Sequence, residues 1–211
     1  MNQSEERQDN IQRAIEAGLD MFMENGIAAT SMSQIAKKVN LSQMSLYRYF
    51  GSKEELILRI WKYALTEFYK YFYERYTGSN EGKTGYERFV ACMDAYYSLY
   101  EEFPNWYRYT HEMFTYRFSP DEESDRRMNN VFWKHYDKEI PIPALKALKD
   151  GVADGSIRAD INIYAIYQIL LNAYTETTLY ENISFGVSPE DIVRITASLI
   201  AKYIKNDQAV C

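Results

Sequence analysis

Helix-start signatures recur along the whole chain, and they constrain its fold more than any other feature. Ser31 stands three residues before Gln34, Ser52 before Glu55, and Thr84 before Glu87. In each pair the hydroxyl is placed to accept the N–H of the third helical residue, while the longer side chain reaches back to the cap's own N–H. Ser119-Pro120 and Ser188-Pro189 put proline at the first helical position, where a missing N–H costs nothing. Between these starts apolar residues recur at three- and four-residue spacing, and Gly and Pro fall between the periodic segments. No apolar–polar alternation competes over a useful length. Nine Gly and five Pro are also too few for a many-turned β chain.

The spacing predicts helices over 4–24, 32–39, 43–49, 53–77, 84–101, 104–117, 121–137, 141–153, 161–182 and 189–205. The expected fold class is therefore all-α. With 211 residues, 46% apolar and 26% charged, the chain can bury a core without disulfide or metal staples. Cys92 lies in a helical pattern and reads as a small core residue; Cys211 is given no role. His111 and His135 are the only histidines, no zinc spacing is present, and no metal or cofactor is expected. The acidic group Asp121, Glu122, Glu123 and Asp125 sits in a predicted first turn, where the helix dipole accounts for it. No apolar run reaches 18 residues, since 163–174 is broken by Gln168 and Asn172. The first ten residues are polar, so the expected location is cytoplasmic, without membrane partners.

Residues 32–50 pack two short helices around a tight turn. Ile35, Ala36, Val39, Leu41, Leu46 and Phe50 are the apolar positions, Asn40 takes the post-helix position that wants left-handed backbone, and Ser42 caps the next helix. Spacing alone leaves two readings open, an ordinary αα-corner and a DNA-binding helix-turn-helix. Charge favours the second. From Asn25 to Lys53 there are four basic residues (Lys37, Lys38, Arg48, Lys53) and no acid, whereas the rest of the chain carries a net −10. A local positive patch in an acidic chain is a footprint for phosphate.

The stretch Arg13-Ala14-Ile15-Glu16-Ala17, Phe22, Gly26, Thr30-Ser31, Ile35-Ala36, Leu41-Ser42, Leu46-Tyr47, Phe50 and Ser52-Lys53-Glu54-Glu55-Leu56 resembles the N-terminal domain of the tetracycline-repressor (TetR) family. The motif covers about residues 11–58; the remainder matches only in plan. Asn40 replaces the usual turn Gly, Met44 a frequent Gly or Pro, Tyr49 a frequent His, and Gly18 a frequent Ala. Met44 and Tyr49 bear on which operator is read, and Gly18 implies close helix packing.

The resemblance implies a three-helix helix-turn-helix DNA-binding domain over 1–51 and a helical effector-binding and dimerisation domain over 52–211. It implies that 43–49 enters the major groove. Gln43 would then pair with adenine, Ser45 meet a base edge or phosphate, and Arg48 guanine or phosphate, with Met44 on the reading face. Tyr47 and Lys53 match family backbone contacts, with Ser31 and Ser33 candidates for the flanking phosphate. A homodimer is implied, built from 161–182 and 189–205 through Ile166, Ala173, Ile195 and Leu199. Tyr is in excess at 20 residues, 18 of them after residue 60. Tyr97, Trp106, His111, Trp133, Tyr136, Asn172 and Glu176 are the candidate effector contacts, and the effector is expected to be aromatic or cationic. The function expected is a ligand-responsive dimeric repressor on a near-palindromic operator. An activator or effector-independent regulator shares these features; an enzyme would need an acid–base or nucleophile constellation that the spacing does not supply, and a scaffold protein would not need the acid-free basic segment.

Overall fold

The computed structural model describes residues 2–76, 81–116, 142–176 and 186–207. Among them are nine helices: α1 (Gln3–Asn25), α2 (Met32–Lys38), α3 (Gln43–Phe50), α4 (Lys53–Tyr76), α5 (Gly85–Glu102), α6 (Pro104–Thr115), α7 (Pro143–Ala153), α8 (Ile163–Glu176) and α9 (Pro189–Ile204). Among the described residues there is no strand, only one isolated bridge between Ile157 and Lys205. The fold is all-α, with an N-terminal helix-turn-helix and a C-terminal helical region. The predicted helix over 121–137, with its acidic turn and the Ser119-Pro120 start, lies outside the described residues, as do Trp133 and Tyr136.

The capping signals form as spaced. Ser31 accepts the Gln34 N–H while the Gln34 amide oxygen takes the Ser31 N–H at 2.8 Å. Thr84 and Glu87 do the same for α5. Ser52 accepts the Glu55 N–H at 3.1 Å, and Ser188 accepts that of Asp191 at 3.0 Å.

The chain divides into two compact units. The first joins 1–68 with 108–121, and the second joins 69–107 with 122–211. In the first unit α1 packs on α2 and α2 on α3. Its core gathers Phe22, Ile27, Ile35, Leu46, Leu56, Ile60 and Trp61, all nearly inaccessible. Trp61 meets Tyr109 edge-on at 5.4 Å and Phe114 at 6.1 Å. Gly18 is buried there, and a Cβ on it would sit 2.4 Å from Ile60 Cδ1. Close helix approach thus explains the glycine inside α1.

In the second unit α5 packs along α7, and α9 packs on α5 and α8. Phe72, Phe89, Leu145, Leu148, Leu170 and Ile204 fill the core. Cys92 is buried with them, and burial pushes its thiol up to about 12. The α7–α8 turn is laced by side chains: Asp154 accepts the Gly85 N–H at 2.6 Å, and Arg158 forms a forked pair with Asp160. Among the described residues no helix is long and apolar enough to cross a membrane.

Candidate nucleic-acid interface

The turn between α2 and α3 is built from backbone. Leu41 N–H reaches Ala36 C=O at 2.9 Å and Asn40 N–H reaches Lys37 C=O at 3.2 Å, the paired bonds of a Schellman stop. The motif requires left-handed backbone at its closing residue, and Asn40 has φ +57°. Arg13, on α1, adds a bond from its guanidinium to Val39 C=O at 3.1 Å, which ties the end of α2 to the scaffold. Ser42 then accepts the Ser45 N–H at 3.1 Å and starts α3. Leu46 and Phe50 are buried behind this helix, so its opposite face must point outward.

That outward face carries the predicted reading residues. Gln43 and Arg48 are exposed. Met44 is 81% exposed and Tyr47 44%. Two large apolar surfaces left in water on one short helix are unusual unless something covers them. Ser45 is half-buried, its hydroxyl 2.9 Å from that of Ser42, so part of its hydrogen-bonding capacity serves the cap. Ser31 is likewise engaged with Gln34 at 2.7 Å, whereas Ser33 is exposed. Arg48 and Arg7 both approach the Tyr49 ring, at 5.5 and 5.9 Å. Lys38 reaches Asp20 at 3.7 Å in a solvated pair, which lessens its part in the positive patch. Lys53 is half-buried and donates from Nζ to Ile27 C=O at 2.8 Å. Burial draws its ammonium below the usual lysine range, partly offset by the Glu54 carboxylate.

The predicted effector contacts are less coherent. Trp106 is buried in the second unit, and Tyr97 lies under the Arg194 guanidinium at 4.3 Å. His111 belongs to the first unit. Asn172 is exposed and accepts the Gln168 amide at 2.8 Å, so it is a surface residue of α8 rather than part of an interior lining. Glu176 is half-buried at the end of α8. Inside the second unit, the Tyr96 ring meets Phe72 at 4.8 Å and Tyr174 at 5.8 Å, both tilted, and the Tyr107 hydroxyl donates to Tyr96 C=O at 2.9 Å. Burial drives the Tyr96 phenol well above its ordinary range and Tyr167 up to about 12. A groove of about 520 Å³ opens beside this cluster, with Met93, Asp94, Tyr97, Tyr174 and Arg194 in its wall.

The predicted dimer residues divide. Ile195 is 57% exposed and Leu199 62%, with Ile192 and Tyr203 on the same face of α9 and Ile169 exposed on α8. Ile166 is only 6% exposed. Its side chain packs in the chain's own core, whereas Ile169 on α8 is exposed. Ala173 is half-buried.

Sequence reasoning missed Glu112 and Arg108. Glu112 accepts the Ile27 N–H at 2.8 Å, and Arg108 donates to Met23 C=O at the end of α1. Both act across 85 residues of sequence, and no local pattern marks them.

Residues 14–60, which hold this entire helix-turn-helix, match the family of bacterial regulatory proteins called tetR. Residues 14–60 thus carry a tetR-family N-terminal domain. The HTH-type transcriptional repressor KstR2 of Mycolicibacterium smegmatis is 23% identical over 80% of this chain and 76% of its own length. Among solved structures, the tetR-type fold is shared with the regulator FadR of Bacillus subtilis in complex with stearoyl-CoA, at TM-score 0.64 and 20% identity, covering 92% of this chain and 98% of that one. It is shared too with Thermus thermophilus FadR in complex with lauroyl-CoA, at TM-score 0.62 and 15% identity over 95% and 98% of the two chains. The matched segment is the one that mounts α3, and the neighbours share the fold around it.

Proposed function

We propose that the chain is a dimeric repressor that reads a near-palindromic operator through residues 1–51 and is released when a small molecule binds within 52–211, the part that also holds the dimer. The observation that carries this reading is the outward face of α3. It presents Gln43, Met44, Tyr47 and Arg48 on a helix whose start, stop and inner face are all fixed. In this reading Gln43 addresses a base, Met44 packs beside it, and Arg48 reaches guanine or phosphate. Ser31, Ser33, Ser45, Tyr47 and Lys53 hold the duplex backbone. Such contacts set register, while base contacts set sequence. Gln43→Ala should therefore relax preference at one base position in a selected-sequence experiment, at a cost of about 1–3 kcal/mol on the matching site. An unchanged binding motif would mean that α3 faces the duplex differently.

The apolar stripe Ile192, Ile195, Leu199 and Tyr203, joined by Ile169, supports the dimer. Surface apolar residues aligned along one helix face mark a covered face. Two reading heads on a twofold axis then fit half-sites about one DNA turn apart.

For the effector, the aromatic cluster of the second unit supports a molecule with an extended apolar or aromatic body. Stearoyl-CoA, which the Bacillus subtilis neighbour binds, and a lipophilic aromatic cation are the two probes that separate the chemical classes. An inducer must discriminate between DNA-competent and released forms. A coupling of about 1–3 kcal/mol weakens DNA binding roughly 5–150-fold, and DNA must weaken the ligand by the same factor. Calorimetry of each probe with and without the selected duplex should show that difference for one of them. Equal affinity in both titrations removes that probe as an inducer.

A further inference from the structure

Ile27 follows Gly26, the residue that ends α1, and is held on both of its polar groups by side chains distant in sequence. Its N–H donates to Glu112 Oε2 at 2.8 Å, and its C=O accepts from Lys53 Nζ at 2.8 Å. The residue is only 1% exposed, so neither group has ready access to water, and each side-chain partner replaces hydration. Gly26 makes the approach possible. Its φ is +86°, and a Cβ there would lie 3.1 Å from both Glu112 carboxylate oxygens. One turn earlier on α6, Arg108 anchors the same end of α1 through Met23 C=O. The α1–α2 connection is thus held both by α6 and by the first residue of α4.

We infer that Glu112 is a positioning residue for DNA binding: by holding the Ile27 N–H it fixes the Ile27 carbonyl, which in turn fixes the Lys53 ammonium at the N-terminus of α4. This rests on the proposed contact between Lys53 and the duplex backbone. A lysine ammonium has three donors, and the bond to Ile27 uses one, which leaves two for a phosphate oxygen. An untethered lysine must be ordered at the moment of binding, which costs side-chain entropy. A lysine already tethered to a carbonyl has met that cost in folding, and it stands at the N-terminus of α4, an end that favours an anion. Glu112 does not touch DNA in this arrangement. It acts through Ile27.

The test uses the full chain and the duplex that the wild type selects from a random library. Glu112→Ala and Glu112→Gln remove the same charge, but only Gln keeps an oxygen that can accept the Ile27 N–H. DNA affinity of Glu112→Ala should fall roughly two- to tenfold below that of Glu112→Gln, within the coupling range of residues sharing one hydrogen-bond network. In a Lys53→Ala background the gap between the two should vanish, and Lys53→Ala itself should flatten the log K versus log salt slope by about 0.9. A merely structural Glu112 would lower the melting temperature of Glu112→Ala yet leave its gap from Gln the same with or without Lys53, which would overturn the inference while leaving the DNA-binding reading intact. Unchanged affinity and salt slope in Lys53→Ala would instead remove the Lys53 contact, and the positioning role with it.

Discussion

Leu199→Glu should reduce operator affinity by two to four orders of magnitude without unfolding the chain. Leu199 is 62% exposed and Ile195 57% on the outward face of α9, so a charged residue at 199 disturbs little in the isolated chain. Exposed substitutions of this kind usually change stability by no more than about 0.5 kcal/mol. In a twofold assembly the same side chain meets its own copy or that copy's neighbours. Two carboxylates are then brought into one apolar contact, where neither finds a counter-charge. Loss of the dimer removes the second reading head, and with it the effective concentration that makes the second contact nearly intramolecular, a factor of roughly 10²–10⁴. Light scattering should report a wild-type dimer and a Leu199→Glu monomer, and fluorescence anisotropy should report the lost affinity. A Leu199→Glu protein that stays dimeric and binds the duplex fully would show that the exposed face of α9 is not the dimer contact.

The parts of this architecture that are local in sequence were legible in it, and the parts made by distant residues were not. Capping pairs are three residues apart, so Ser31, Ser52 and Thr84 mark three helix starts without tertiary information, and the Ser188-Pro189 step marks a fourth. Asn40 announces the α2 stop because few side chains tolerate φ +57°. The resemblance supplied the proposed reading residues, and the burial of Leu46 and Phe50 leaves the opposite side of that short helix outward. Ile166 marks the limit of such reasoning, because it is buried where the sequence pattern left its face open. The α8 segment is apolar on several faces, so periodicity cannot tell the inward stripe from the outward one. Asn172 was ambiguous for the same reason, since a polar residue in that run sits on the surface as readily as inside, and here it is exposed. Glu112 had no signal at all: its partner lies 85 residues away and is a backbone N–H, which leaves no mark on residue type.

Gly85→Ala should lower the stability of the second unit by about 3 kcal/mol, the upper end of the usual cost of overpacking. Gly85 opens α5 at the point where that helix meets α7. A Cβ at Gly85 would stand 2.0 Å from the backbone N of Gly151 and 2.3 Å from its Cα. A side chain can turn out of such a clash, whereas a helix backbone cannot, so α5 and α7 would have to separate. Their separation also pulls the Gly85 N–H away from Asp154, a 2.6 Å bond that joins the start of α5 to the turn after α7. Gly151→Ala makes the contrast. Its Cβ would meet the Ile157 side chain, 2.5 Å from Cδ1, 2.6 Å from Cγ1 and 3.2 Å from Cβ, atoms of one side chain rather than of a helix backbone. Alanine also favours a helix interior by about 1 kcal/mol over glycine, which offsets part of the contact. Calorimetry should therefore find Gly85→Ala melting roughly 6–12 °C below wild type, with Gly151→Ala falling by much less. Equal losses for the two would mean that α5 and α7 cross with more slack than their paired glycines indicate.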